Sequence, residues 1–173
     1  MEYFSILFRH SLFYGAILSA VATFVILGSL RWNPEIWLSD YPPDVRAKYG
    51  PPGEKTGRQK RWVSILFFLF LAGLLVLSIV RLGPAMGGEP PFLAVFLHTF
   101  IVFMIFNLVD LLVIDWLVLQ TLQPPFAILP GTEGMAGYRD FSFPFFGFLK
   151  GSLGILVFSL AAAGVTSMLF MVL

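Results

Sequence analysis

The chain has no cysteine, only two histidines, and few charges: 12% of its 173 residues are Asp, Glu, Lys or Arg. Without cysteine there is no disulfide framework, no thiolate metal site and no thiol nucleophile. The charge fraction is about half of the roughly 25% found in soluble domains, too little to cover a water-facing surface. That excludes a typical cytosolic enzyme and a disordered tail. An excess of one sign is lacking too, the formal net charge being +1, so the overall balance points to no nucleic-acid partner. Catalytic signatures are missing. The stretch Pro130-Gly131-Thr132-Glu133-Gly134 has no Gly-Lys-Ser/Thr ending to cradle a phosphate, Gly151-Ser152-Leu153-Gly154 is not a Gly-x-Ser-x-Gly elbow, and no His-Glu-x-x-His occurs. No residue pattern specifies a cofactor or a metal. An internal repeat is also absent, which argues against an inverted-repeat transporter built from this chain alone.

What the sequence has is apolar length. Hydrophobic residues make up 58% of it, 20 of them Phe, and the mean hydropathy is +0.86. A helix crossing about 30 Å of hydrocarbon needs roughly 20 apolar residues, and four runs qualify, at about 11–30, 62–80, 92–120 and 147–172. The expected fold is therefore all-α, a single four-transmembrane-helix bundle, since backbone groups in lipid must be bonded within their own segment. Ser19-Ala20-Val21-Ala22 resembles a signal cleavage site, but the apolar run continues to Leu30 and reads as a span.

Orientation follows from the basic residues. The first connection carries Arg31, Arg46, Lys48, Lys55, Arg58, Lys60 and Arg61, and the third Arg139 and Lys150, against Arg9 and Arg81 elsewhere. Connections 31–61 and 123–150 are thus expected in the cytoplasm of a cell (inner) membrane, with both termini outside. Prolines at 34, 42, 43, 51 and 52 limit the first connection to short helical turns such as Pro34–Leu38 and Asp44–Tyr49, with Trp32, Trp37 and Tyr41 as interfacial anchors. Lys55, Arg58, Lys60 and Arg61 are candidates for an anionic-lipid contact.

Functional pointers gather on the third span. His98, Asn107, Asp110 and Asp115 are polar or ionisable groups in or beside an apolar helix, where a central charge costs at least about 2.5 kcal/mol. In α-helical geometry Asn107 and Asp110 share a face, whereas Asp115 should point about 140° away from Asp110. Asp110 is read either as a carboxylate paired with Arg139, Lys150 or another basic group, or as a functional one. His98 reads as an interhelical hydrogen bonder or as a relay. Small residues recur every four positions on the fourth span (Ser159, Ala163, Ser167) and on the first (Gly15 with Ser19, Ala16 with Ala20), faces suited to close packing between spans one and four or with another subunit.

Three stretches, Asn33 to Pro42 (Asn-Pro-x-x-Trp-Leu-x-Asp-Tyr-Pro), Asn107 to Trp116 (Asn-Leu-x-Asp-x-Leu-x-x-Asp-Trp) and Pro130 to Asp140 (Pro-Gly-Thr-Glu-Gly-x-x-Gly-Tyr-x-Asp), resemble those of a group of small bacterial multi-spanning membrane proteins to which no activity is attached. That group carries a His near the start of its last span, where this chain has Pro144 and Phe145, so a role needing that His does not transfer. All three stretches map to one side of the expected topology. They motivate a cytoplasm-facing polar pocket made of Asp40, Tyr41, Asn107, Asp110, Asp115, Glu133, Tyr138, Arg139 and Asp140. The first functional expectation is a non-enzymatic binding or accessory component whose partners are membrane lipids, a second copy or another membrane subunit. The alternatives are a small oligomeric ion-coupled transporter, and a membrane enzyme acting on a lipid or isoprenoid headgroup.

Overall fold

A computed structural model describes residues 2–172, and these form helices and turns without a strand. Four helices are long and apolar enough to cross a membrane. They are α1 (Glu2–Trp32), α3 (Thr56–Met86), α4 (Phe92–Val109, continuing through Leu122) and α5 (Ser142–Val172). Each outruns its apolar stretch at one or both ends, α3 even with Pro84 inside its last turns. Proline sets the boundaries between them. Pro34 opens a 3₁₀ segment over Pro34–Asp40, with the Asn33 side chain accepting from the Glu35 backbone N–H at 3.0 Å, and Pro43 opens the short α2 (Pro43–Tyr49). Both lie where proline spacing predicts turns.

The long helices pack as a row, α3 on α1, α1 on α4, and α4 on α5. Gly15 explains the tightest junction. A Cβ there would lie 2.6 Å from Cδ1 of Ile105, so only glycine admits α4 to this distance. The small residues of α5 serve the same purpose. Ser159 and Ala163 are fully buried, and α5 lies chiefly along α4 rather than along α1, so the buried small residues of the first span (Gly15, Ser19) and of the fourth pack toward α4 rather than toward each other, while Ala16 and Ala20 stay exposed. Serines on these faces are self-satisfied: Ser11, Ser19 and Ser159 each donate to the carbonyl four residues earlier, at 2.7 to 2.8 Å. The outer faces of α3 and α5 stay apolar and exposed, Phe68 at 70% and Leu153 at 67% among them.

One end of the row is roofed. Tyr41, Val45, Leu129 and Tyr138 from the two long connections pack on Ile26, Leu30 and Ile114. Trp37 is half-buried with its indole N–H on Ser29 Oγ at 2.8 Å, and Tyr41 is only 6% exposed. Neither ring is the free interfacial anchor expected of it, because the connection folds inward onto the helix ends; Trp32, at 62%, does stay exposed.

Candidate functional site

The helix that carries Asp110 and Asp115 changes its winding there. From Asp110 to Leu122 it is π-helical, and it ends with the Gln123 N–H on the Val118 carbonyl, an i→i+5 bond of 2.9 Å. Long π segments are rare and concentrate at functional sites. In such a helix the residue five along is the hydrogen-bonded neighbour one turn on, so Asp110 and Asp115 come round to one side. Both line a single cavity. The 140° divergence expected from α-helical geometry does not occur, because the helix does not keep that geometry.

The cavity has a volume of about 770 Å³, within the range of about 300–1,000 Å³ typical of small-molecule sites. Its floor is α4 and the π segment, with Asn107, Asp110, Asp115 and Gln120. The roof is Asp40, Tyr41 and Tyr138, and the side walls are Phe67 of α3 and Phe143 to Lys150 of α5. Apart from Ser39, the rest of the lining is apolar. Of the nine residues predicted to share a pocket, six do: Asp40, Tyr41, Asn107, Asp110, Asp115 and Tyr138. Glu133, Arg139 and Asp140 do not line it. Each is exposed on the outer surface of the third connection, where Glu133 accepts from the Gly131 N–H at 3.1 Å and Asp140 caps α5 through the Ser142 N–H at 3.0 Å. Its own backbone N–H, then that of Gly131, holds the Glu133 carboxyl below the usual carboxylate range, and the Ser142 hydroxyl ahead of the backbone N–H groups does so for Asp140. Lys55, Arg58, Lys60 and Arg61 are all exposed around the start of α3, with Lys60 Nζ on Ser39 Oγ at 3.1 Å.

Gln120, Phe143 and Phe146 belong to the cavity and are not legible as such in the sequence. For Gln120 there was a signal, a lone amide flanked by apolar residues late in a membrane-length helix. Its side chain is 8% exposed, its Nε2 donates to the Asp140 carbonyl at 2.8 Å, and its Oε1 is buried with no partner.

Charge in the cavity is unbalanced. Asp40, Asp110 and Asp115 face Lys150 as the one basic lining residue, and among the described residues no side chain donates a hydrogen bond to Asp110 or Asp115. Protein crowding around Asp40 raises its carboxyl above the usual range, against the pull of Lys60 and Arg46. Burial likewise raises the Tyr41 phenol, whose OH donates to the Ala127 carbonyl at 2.8 Å. Among the described residues no three His, Asp or Glu side chains are placed to share a metal ion.

A second polar cluster lies near the opposite end of the row. His98 is fully buried, with Nδ1 2.9 Å from Ser11 Oγ. The Ser11 hydrogen is already given to Leu7 O at 2.8 Å, so Nδ1 carries the ring proton and Nε2 is a bare acceptor without a partner. His10, whose sequence position only marked the edge of a span, lies with its ring 5.1 Å from that of His98, tilted by 49°, and contacts Ser78 O at 2.9 Å through Nε2. Replacing His98 with Leu removes one hydrogen bond and one orphaned acceptor together, which nearly cancel. The His98→Leu protein should melt within about 3 °C of wild type in detergent; a fall beyond about 10 °C would make the imidazole a structural bond rather than a tolerated one.

Comparison with protein families, with curated proteins and with solved structures gives no match.

Proposed function

We propose that this chain is an integral protein of a bacterial inner membrane that binds, without transforming, one amphiphilic ligand in a cavity at the cytoplasmic boundary. The observation that carries this reading is the pairing, in one space of about 770 Å³, of a mostly apolar wall with carboxylates that no described side chain satisfies. Half-buried beside that wall, Asp110 and Asp115 give up part of their hydration with no protein donor in return, at a cost in free energy. A ligand that brings both an apolar body and a polar head would offset that cost. The membrane setting is supported by the exposed apolar faces of α3 and α5, which would be aggregation surfaces in water. The orientation is supported by the nine basic residues on the roofed side against two on the other. In this topology the cavity sits where headgroups meet the cytoplasm.

The test fills the cavity. At Gly147, which lines it, an added Cβ meets nothing within 4 Å, so the backbone there has room to carry a larger side chain at the cavity wall. Native mass spectrometry of the wild-type protein released from nanodiscs should show a discrete retained mass, and Gly147→Trp should lose at least nine-tenths of it with an unchanged thermal midpoint. Equal retention by the two proteins would place the ligand elsewhere.

A further inference from the structure

The cavity wall is short of hydrogen-bond donors, and this selects a headgroup. Apart from the second amide hydrogen of Gln120, the donors that neutral lining side chains carry are already engaged by protein, Ser39 Oγ on Asp40 Oδ2 at 3.3 Å among them. Trp37 Nε1 is on Ser29 Oγ and Tyr41 OH on the Ala127 carbonyl, both at 2.8 Å. Asn107 Nδ2 bonds the Phe148 carbonyl and Ser152 Oγ, each at 3.1 Å, and Gln120 Nε2 bonds the Asp140 carbonyl. The Tyr138 hydroxyl accepts from the Leu129 N–H and lies 2.7 Å from Thr132 Oγ1. Because Thr132 spends its own hydrogen on the Leu129 carbonyl, the Tyr138 hydrogen goes to Thr132. What remains open is acceptors: the carboxylates of Asp110 and Asp115, and the orphaned Oε1 of Gln120. Lys150 is the exception, a cation at the α5 wall.

A ligand complementary to such a wall must supply N–H donors and positive charge to one region and a negative group to Lys150. We propose that the cavity binds a lipid with a primary-ammonium, phosphodiester headgroup, of the phosphatidylethanolamine class, the ammonium on Asp110 and Asp115 and the phosphate toward Lys150. This rests on the binding reading above and names its ligand. A lipid is favoured over a free amine by the apolar share of the lining and by the flanks of the cavity. Phe67 of α3 and Phe146 of α5 stand on either side of it, and these two helices do not pack closely together, which leaves a route for acyl chains into the surrounding membrane. A quaternary choline headgroup has the same net charge but no N–H, so the donor argument separates it from ethanolamine.

The full chain is reconstituted in nanodiscs containing phosphatidylglycerol and equal amounts of phosphatidylethanolamine and phosphatidylcholine with identical tails, and the retained lipids are weighed by native mass spectrometry. One retained lipid is expected, with ethanolamine over choline by about tenfold, a ratio that falls to near one in Asp110→Asn/Asp115→Asn. Equal retention of the two headgroups by wild type, with both lost in Gly147→Trp, would overturn the headgroup assignment and leave the binding reading standing. Retention insensitive to Gly147→Trp, or no retained lipid at all, would overturn both. Millimolar ethanolamine should leave the bound lipid in place; its displacement by ethanolamine would assign the site to free amines.

Discussion

Replacing both Asp110 and Asp115 with Asn should raise the thermal midpoint of the ligand-free protein by several degrees while removing its ligand. Loss of stability is the usual outcome of changing a half-buried polar residue, so the direction is diagnostic. The two carboxylates face one cavity with Asp40, and no described side chain donates a hydrogen bond to either. Their mutual repulsion and their desolvation both oppose folding, and Asn removes both costs at nearly constant volume. Relief of about 1 to 2 kcal/mol corresponds to roughly 2–8 °C for a chain of this size. The gain should shrink on acidification, because protons neutralise the wild-type carboxylates and bring the two proteins together. A midpoint that drops by several degrees at neutral pH would mean that the carboxylates hold the bundle together and are structural.

Glu35 should behave in the opposite way. It gathers three donors from the far end of its own connection: the Thr56 hydroxyl at 2.5 Å, the Gly53 N–H at 2.8 Å and the Tyr49 hydroxyl. These bonds, Thr56 first, hold the Glu35 carboxyl below its ordinary 4.5, and the same carboxylate pushes the Tyr49 phenol up to about 12. Bonds to a charged acceptor contribute about 1.5–3 kcal/mol each when well sheltered, and less here, where solvent reaches the group. Glu35→Ala should cost about 2 kcal/mol, read as a fall of about 4–8 °C in midpoint. The sign with pH follows from the lowered pKa. The stabilisation is present in full above about pH 4.5 and is lost as the pH falls through the folded-state value, so the gap between variant and wild type should close in acid. A gap that persists unchanged at pH 3 would show that the carboxylate charge is not what holds the connection.

These two carboxylate systems differ in how far the sequence discloses them. Helix number, the short turns after Pro34 and Pro43, and Asn107, Asp110 and Asp115 in the cavity follow from apolar run length, proline spacing and the cost of charge near a span, whereas Asp40, Tyr41 and Tyr138 come from the resemblance of the three stretches to other small membrane proteins. Glu35 does not stand out, since its donors lie 14 to 21 residues away and meet it only because the connection folds back on itself. The π winding is hidden for a different reason. Over 13 residues the apolar pattern of Leu111, Leu112, Val113 and Ile114 fits α and π periodicity alike, and tertiary packing chooses between them. The charged residues of the third connection mislead because turn chemistry sets their local bonds without setting the side of the loop they face. Gly137 does face inward: its N–H donates to Asp44 Oδ2 at 3.0 Å, and a Cβ would fall 2.1 Å from Asp44 Oδ1.

Counting residues along the third long helix takes on a meaning that composition lacks. A π turn holds more residues than an α turn of the same backbone. A residue lost between Asp110 and Asp115 leaves the pair four apart, on one face even of an α-helix, but one lost between Asp115 and Leu122 lets the stretch rewind as α-helix with the pair still five apart and its hydrophobicity nearly unchanged. Asp115 would then swing out of the cavity. Among chains otherwise alike, a one-residue gap between Asp115 and Leu122 would mark those that cannot hold the same ligand, however similar their amino acids.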